Sequence, residues 1–375
     1  MQPIQMVDLN GQYNKIKKEV DNAIQLVIDS SQFIKGTLVK EFQLKLSNYL
    51  GVKHTITCGN GTDALQIALM ALDLKPGDEV ITTNFTFIAT VEVIALLGLT
   101  PILVDVNYDT FTIDISKLKK SITKKTKAII PVHLFGQCAN MNDIMDIAEN
   151  NNLYVIEDNA QAIGADYSFK NKTVKAGTIG HIGCTSFFPS KNLGCFGDGG
   201  AIFTNDDDIA LRISKIVNHG MEVRYYHDII GVNSRLDTIQ AAVLNIKLDY
   251  LDSYCKARQY VADYYNNSFK DIDDLVIPET DKNTTHVYHQ YTLKVLNGNR
   301  DNLKEWLAKR DIPAMIYYPV PLNKQKAFVK YYNDKTTYPT TDKLINEVLS
   351  LPIHTEMNEE QLKYVVTSVK EFFNR

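Results

Sequence analysis

Between Thr185 and Gly197 the chain carries one charged side chain, Lys191, set between an aromatic strand end and a glycine-rich run. Such an amine is either a solvated turn residue or a desolvated group whose lowered pKa suits Schiff-base chemistry. Upstream, Leu153-Tyr-Val-Ile-Glu-Asp158 ends in two acids and continues through Asn159 to Gln161. Asp158 therefore sits at the C-terminal edge of a sheet, where open α/β folds bind ligands, unless it merely caps the following turn. A third segment, Cys58-Gly-Asn-Gly61-Thr62-Asp63, converts a strand into a helix. Its opening amides make either an anion site or an ordinary capped turn, and it is neither a P-loop nor a G-x-G-x-x-G. Together these are the parts that pyridoxal phosphate requires. Its phosphate needs backbone donors and hydroxyls, its pyridine nitrogen a carboxylate, and its aldehyde a lysine. Phe85 and Phe87 offer an aromatic face for the ring.

Positioning these groups requires a sheet. From about 52 to 205, the runs HTITC, EVITT, PILVDV, KAIIPV, LYVIED, CTSFF and AIFT alternate with helix-period segments at Thr62–Leu74, Phe87–Leu97, Ile115–Ser121 and Asn142–Asn150. The alternation predicts an α/β fold with a seven-stranded, mainly parallel sheet covered on both faces. A long helix is expected from Arg235 to about Phe269, and a smaller α+β domain over 251–375 follows a large domain over 1–250 that includes an N-terminal helical segment. In the smaller domain HQYTLKV and PAMIYYPV read as strands, and Asn302–Arg310, Thr341–Leu349 and Glu359–Phe373 as helices.

The 375 residues hold 40 Lys+Arg against 44 Asp+Glu, a net charge of −4 that gives no footprint for nucleic acid. Five scattered cysteines without a C-x-x-C pair suggest neither a disulfide framework nor a zinc site. The most apolar stretch, Val91 to Val106, is interrupted by Glu92, Pro101 and Asp105, and the N-terminus has no apolar signal core. A cytoplasmic protein without membrane contact is expected.

The chain resembles the DegT/DnrJ/StrS family of sugar aminotransferases, which share the type I fold of pyridoxal-phosphate enzymes. The likeness rests on NGTDALQIAL (60–69), GDEVITTNFTFIAT (77–90), AIIPVHLFGQ (128–137), VIEDNAQAIGA (155–165), TSFFPSKNLGCFGDGGAIFTND (185–206), VNSRLDTIQAA (232–242), YHQY (288–291) and YYPVPLNKQ (317–325). It implies Lys191 as the Schiff-base lysine and proton shuttle, Asp158 as the pyridinium partner, Gln161 near the ring hydroxyl and Phe87 stacked on the ring. Gly61, Thr62 and Ser186 would hold the phosphate, with Asn233 reaching it across a homodimer with shared active sites.

Family dehydratases replace the lysine by histidine, so Lys191 implies transamination. The Lys-Asn-Leu-Gly and Gly-Asp-Gly-Gly runs are similar to the branch that aminates carbon three of a nucleotide-linked sugar. Within it the resemblance is to the bacterial aminotransferases of UDP-2-acetamido-2-deoxy-3-oxo-glucuronate, which serve O-antigen and other surface polysaccharides, with glutamate as donor. Arg235 is then a candidate for the sugar carboxylate or diphosphate, against a plain pairing with Asp237. Tyr317 departs from the pattern, standing where a histidine is expected. A neutral phenol is a poorer anion partner, which leaves room for a dTDP-linked 3-oxo-6-deoxyhexose; a non-catalytic regulatory relative that keeps the fold is the separate alternative, against which the intact Lys191, Asp158 and Gln161 stand. His286 and His289 are read as packed strand histidines rather than metal ligands, and His133 and His219 as residues near the site.

Overall fold

The computed structural model describes residues 3–332 and 336–374. Two helices, α1 (Leu9–Ser30) and α2 (Thr37–Leu50), precede β1 (His54–Cys58), α3 (Gly61–Ala71), β2 (Glu79–Thr83), α4 (Ala89–Leu96), β3 (Thr100–Val104), α5 (Ile115–Ser121), β4 (Thr126–Ile129), α6 (Met141–Asn151) and β5 (Tyr154–Asp158). A hairpin, β6 (Asp166–Phe169) and β7 (Lys172–Lys175), comes before β8 (Ile182–Ser186), β9 (Gly200–Thr204), α7 (Asp207–Ile216) and the 32-residue α8 (Thr238–Phe269). Then follow β10 (Leu275–Val276), β11 (Tyr291–Val295), α9 (Arg300–Ala308), α10 (Pro339–Glu347), β12 (Val348–Leu351) and α11 (Glu359–Phe373).

All seven runs expected as strands join one sheet, in the order β1-β9-β8-β5-β4-β2-β3. Only β9 opposes its neighbours, and the β8–β5, β5–β4, β4–β2 and β2–β3 pairs are parallel. The α/β expectation of a mainly parallel sheet holds. Strands of this kind are buried on both faces, which is why they read as continuous apolar runs. One face packs under α3, α4 and α7 through Leu65, Ile94 and Ile213, the other under α2, α6 and α8 through Phe42, Ile144 and Leu248. Each such side chain contributes about 1.5–3 kcal/mol by leaving water.

Helix α8 runs unbroken through residue 250. Leu244, Leu248 and Leu251 face the sheet's core, whereas Val261, Ala262, Tyr265 and Phe269 enter a second core with β11, α9 and α11. Contacts in the other direction tie the C-terminal part back. Asp105, just beyond β3, accepts hydrogen bonds from the Thr340 and Thr341 amides and the Thr341 hydroxyl, capping α10, whose own N-cap residue forms no side-chain cap. Asn84 exchanges side-chain hydrogen bonds of 2.9 Å with Asn323, one to its amide and one to its side chain.

Three segments differ from the sequence expectation. PAMIYYPV forms no strand: its ladder contact is a single bridge, Met315 to Ser350. Pro313 and Pro319 within it and Pro321 just beyond it withhold donors, so pairing does not extend past that bridge. The helix expected over Thr341–Leu349 ends at Glu347, because the β-strand residues Val348–Leu351 pair antiparallel with β11, Leu349 opposite Leu293. The β6–β7 hairpin carries a signal that sequence reading passed over, an Asn in a two-residue turn. Lys170 and Asn171 have φ of 45° and 66°, the conformation such turns demand.

Candidate active site

Six of the seven strands point the same way, so the turns after β1, β2, β4, β5 and β8 gather at one sheet edge. There they enclose a cavity of about 800 Å³. Gly61, Thr62, Phe87, Asp158, Gln161, Ser186, Lys191 and Tyr317 all line it, from segments as far apart as 61 and 317.

Asp158 ends β5 buried, and its carboxylate accepts the Thr90 hydroxyl at 2.7 Å and the Ala160 amide at 3.2 Å. Gln161 is held at both ends of its amide. Its Oε1 accepts the Phe135 amide at 2.7 Å and its Nε2 donates to the Tyr318 hydroxyl at 3.1 Å. Phe87 presents an open ring, 54% exposed, at a wall that also carries Tyr318. Phe85 does not share that role. It lies 1% exposed behind the cavity, packed on Phe111, Phe135 and Tyr318.

The start of α3 also lines the cavity. Asn60 caps it by accepting the Asp63 amide at 2.8 Å, and the Ala64 amide bonds to Asn60's carbonyl. The first-turn amides of Gly61 and Thr62, two residues that line the cavity, lie ahead of any intrahelical acceptor. A Cβ on Gly61 would come within 2.6 Å of that of Ser186, so only glycine lets this turn close on the Ser186 side chain.

Lys191 stands in a loop fixed by a hydrogen bond of 2.9 Å from Asn192 Nδ2 to the Val287 carbonyl. Gly194 permits the loop's tight return, since a Cβ there would meet the Pro189 carbonyl at 2.3 Å. Burial pushes the Lys191 ammonium down to about 8, against the opposing pull of Asp158. About a tenth of the amine is then neutral at pH 7, roughly three-hundred-fold more than for a lysine at its ordinary value.

Two candidates lie outside this cavity. Asn233 is exposed on the loop leading to α8; beside it, Ser234 donates to Asp63 at 2.6 Å and accepts the Gly59 amide at 2.8 Å. Arg235 is half-buried and, among the described residues, forms no ion pair, so the pairing with Asp237 is not made. His219 does not line the cavity. Its carbonyl accepts His227 Nδ1 at 2.8 Å, which anchors the 219–227 loop. His286 stacks on Tyr288 at 3.9 Å, and burial pushes its pKa down to about 3.

Sequence reading missed three residues. Glu157, fully buried, accepts the amides of Gly177, Ile179 and Gly180 and the Nε2 hydrogen of His133. His133 Nδ1 accepts the Ala139 amide at 3.1 Å, which fixes that tautomer. With Cys138 these side chains lie close enough for a metal, but their ligand atoms are already engaged and the Cys138 thiol is pushed up by burial. Tyr318 and His289 also line the cavity. The apolar spacing around each hid them, because a buried aromatic and a cavity-lining one look alike in sequence.

A model of the DegT/DnrJ/EryC1/StrS aminotransferase family matches residues 14–370. The chain is 44% identical to the UDP-2-acetamido-2-deoxy-3-oxo-D-glucuronate aminotransferase of Pseudomonas aeruginosa, over 98% of this chain and 99% of that one. It is also 44% identical to a pleiotropic regulatory protein of Geobacillus stearothermophilus, over 99% and 98%. The NtdA structure from Bacillus subtilis, solved with the cofactor PMP, superimposes with a TM-score of 0.93 at 30% identity, covering 100% of this chain and 86% of that one.

The family's cofactor is pyridoxal phosphate. The residues present fit it. A buried amine of lowered pKa, a strand-end carboxylate and a glycine-lined helix start share one cavity.

Proposed function

Because the chain belongs to the DegT/DnrJ/EryC1/StrS aminotransferase family, we propose that it aminates carbon three of a nucleotide-linked 3-oxo sugar, with glutamate as donor. The sugar is UDP-2-acetamido-2-deoxy-3-oxo-glucuronate, the substrate in the name of the Pseudomonas relative. The observation that carries this reading is Lys191, a buried amine of lowered pKa in the same cavity as Asp158.

Bound pyridoxal phosphate supplies the electron sink through which an amino group passes from donor to acceptor. The chain's own residues do the rest. Asp158, clamped by Thr90 and Ala160, holds a proton on the ring nitrogen, and Phe87 covers a ring face. Gln161 is pre-set by Phe135 and Tyr318 to meet the ring hydroxyl. The Gly61 and Thr62 amides and the Ser186 hydroxyl hold the phosphate, which Asn233 of the partner subunit completes in a homodimer. Lys191 Nζ takes the proton from the donor's α-carbon and returns one to carbon three of the sugar.

Arg235, without an acidic partner among the described residues, takes the sugar carboxylate or the diphosphate. The product feeds surface polysaccharide synthesis in the cytoplasm. No helix among the described residues is long and apolar enough to cross a membrane. The division into a large domain over 1–250 and a small one over 251–375 frames this site, with His289, Gln290, Tyr317 and Tyr318 among the residues the small domain contributes.

A second sugar is favoured by one residue. Burial raises the pKa of Tyr317, so its phenol stays neutral and offers no charge to a carboxylate. A dTDP-linked 3-oxo-6-deoxyhexose would suit it. The name of the Geobacillus relative points instead to a regulatory role, against which Lys191, Asp158 and Gln161 stand intact in one cavity.

The test begins with the visible absorption of the purified, cofactor-loaded protein, bleached with glutamate. The band is expected to return on adding the UDP-linked 3-oxo-uronate. Return only with the dTDP sugar would overturn the substrate, and no bleaching by any amino donor would overturn the reaction.

A further inference from the structure

His289 has no assigned task, yet it occupies the reactive cavity. It is 5% exposed, lines the same cavity as Lys191, and its Nδ1 is enclosed without a hydrogen-bond partner among the described residues. A buried polar atom left unpaired costs about 1–3 kcal/mol, so such atoms in native folds call for an occupant. Its backbone is held firmly. Arg258 Nη1 donates to the carbonyls of Tyr288 and His289 at 3.2 and 3.3 Å, and Asn192 ties the Lys191 loop to Val287 two residues away.

We propose that His289 is a positioning residue for Lys191: the unpaired nitrogen of its imidazole receives a hydrogen from Nζ when the amine is protonated, holding that side chain against the 287–290 wall. The ring is suited to accept. Burial, with the positive charges of Lys191 and Arg258, holds its pKa well below the ordinary histidine value, so it is neutral. The other groups facing the pair are Asp158, Tyr317 and Tyr318, with Asp63 and Asp198 at the cavity lining. Asp158 already draws the ammonium by its charge. His289 adds a neutral acceptor, which steadies the amine without a second carboxylate that would trap it as a cation.

This inference rests on Lys191 being the reactive amine, but its test is separable. Cofactor-free protein is acetylated competitively across a pH series, and the peptide carrying Lys191 is quantified by mass spectrometry. Loss of a neutral acceptor disfavours the ammonium, so in His289→Phe the midpoint of Lys191 labelling falls by about one pH unit, a tenfold change in neutral fraction. His289→Asn, which keeps an acceptor, stays near the parent midpoint. In turnover, His289→Phe lowers kcat and leaves KM for the sugar little changed.

A midpoint in His289→Phe that stays put or rises overturns the proposal. So does a raised KM with unchanged labelling, which would make His289 a substrate contact. Should the phenylalanine variant not fold, His289→Gln and His289→Met, similar in length and differing in the acceptor, are compared in the same way. If turnover survives Lys191→Ala, the reading of Lys191 fails, whatever the labelling shows.

Discussion

Replacing Glu157 by Gln removes one charge and changes one atom, yet it should unsettle the strand end on which Asp158 sits. Two amides, of Ile179 and Gly180, converge on Oε1, while the Gly177 amide at 2.8 Å and His133 Nε2 at 2.7 Å converge on Oε2. A carboxamide accepts through only one of these positions. If its oxygen keeps Ile179 and Gly180, its NH2 faces the Gly177 N–H and the His133 N–H. If His133 changes tautomer to accept from that NH2, its Nδ1–H confronts the Ala139 amide, which now donates to it. Either way two buried donors lose their acceptor. At about 1–3 kcal/mol for each, the variant loses about 2–6 kcal/mol. Guanidinium unfolding of the cofactor-free protein, followed by circular dichroism, measures this as a lower midpoint at unchanged slope. A loss below about 1 kcal/mol would refute the reasoning, because it would mean that the cluster tolerates two unpaired donors.

Lys191→Ala is expected to bind the cofactor without covalent attachment and to show no turnover, checked by absorption and product analysis. In the parent protein, covalent capture of added cofactor should rise as pH climbs through about 8, as the ammonium loses its proton, and then level off; an ordinary lysine would continue to rise toward 10.5. Asp105→Ala removes the acceptor of two α10 amides and the Thr341 hydroxyl, a loss of about 2–3 kcal/mol in the same unfolding assay. Tyr317→His supplies an ionisable ring at the cavity wall. It should raise kcat/KM for the UDP-linked uronate relative to the dTDP-linked sugar, as measured by competition between the two.

Much of this was legible because parallel strands announce themselves. LYVIED and CTSFF could hardly be anything but buried strands, and where such strands end, the site must gather. Lys191 was visible through its isolation among apolar and small residues. Glu157 was not, since its neighbour Asp158 carried the same charge and the three amides it holds lie some twenty residues downstream, in a turn with no acidic or basic label. In sequence His289 reads as a packing residue. A residue in a strand-like run can face a core or a cavity, and only the fold decides which. PAMIYYPV reads as a strand through its aromatic and β-branched content, where its two prolines outweigh propensity.

The helix that Asp105 caps belongs to a part of the chain more than two hundred residues away, and Asn84 and Asn323 answer each other across a similar span. Neither half holds all the atoms that end its own elements. A fragment beginning near 251 would inherit α10 without its cap and α8 cut through the middle. Chimaeras joining the first part of one relative to the last part of another should therefore fold well only when residues 84 and 105 travel with 322–323 and 340–341. The unit of exchange here is a set of paired contacts rather than a stretch of sequence.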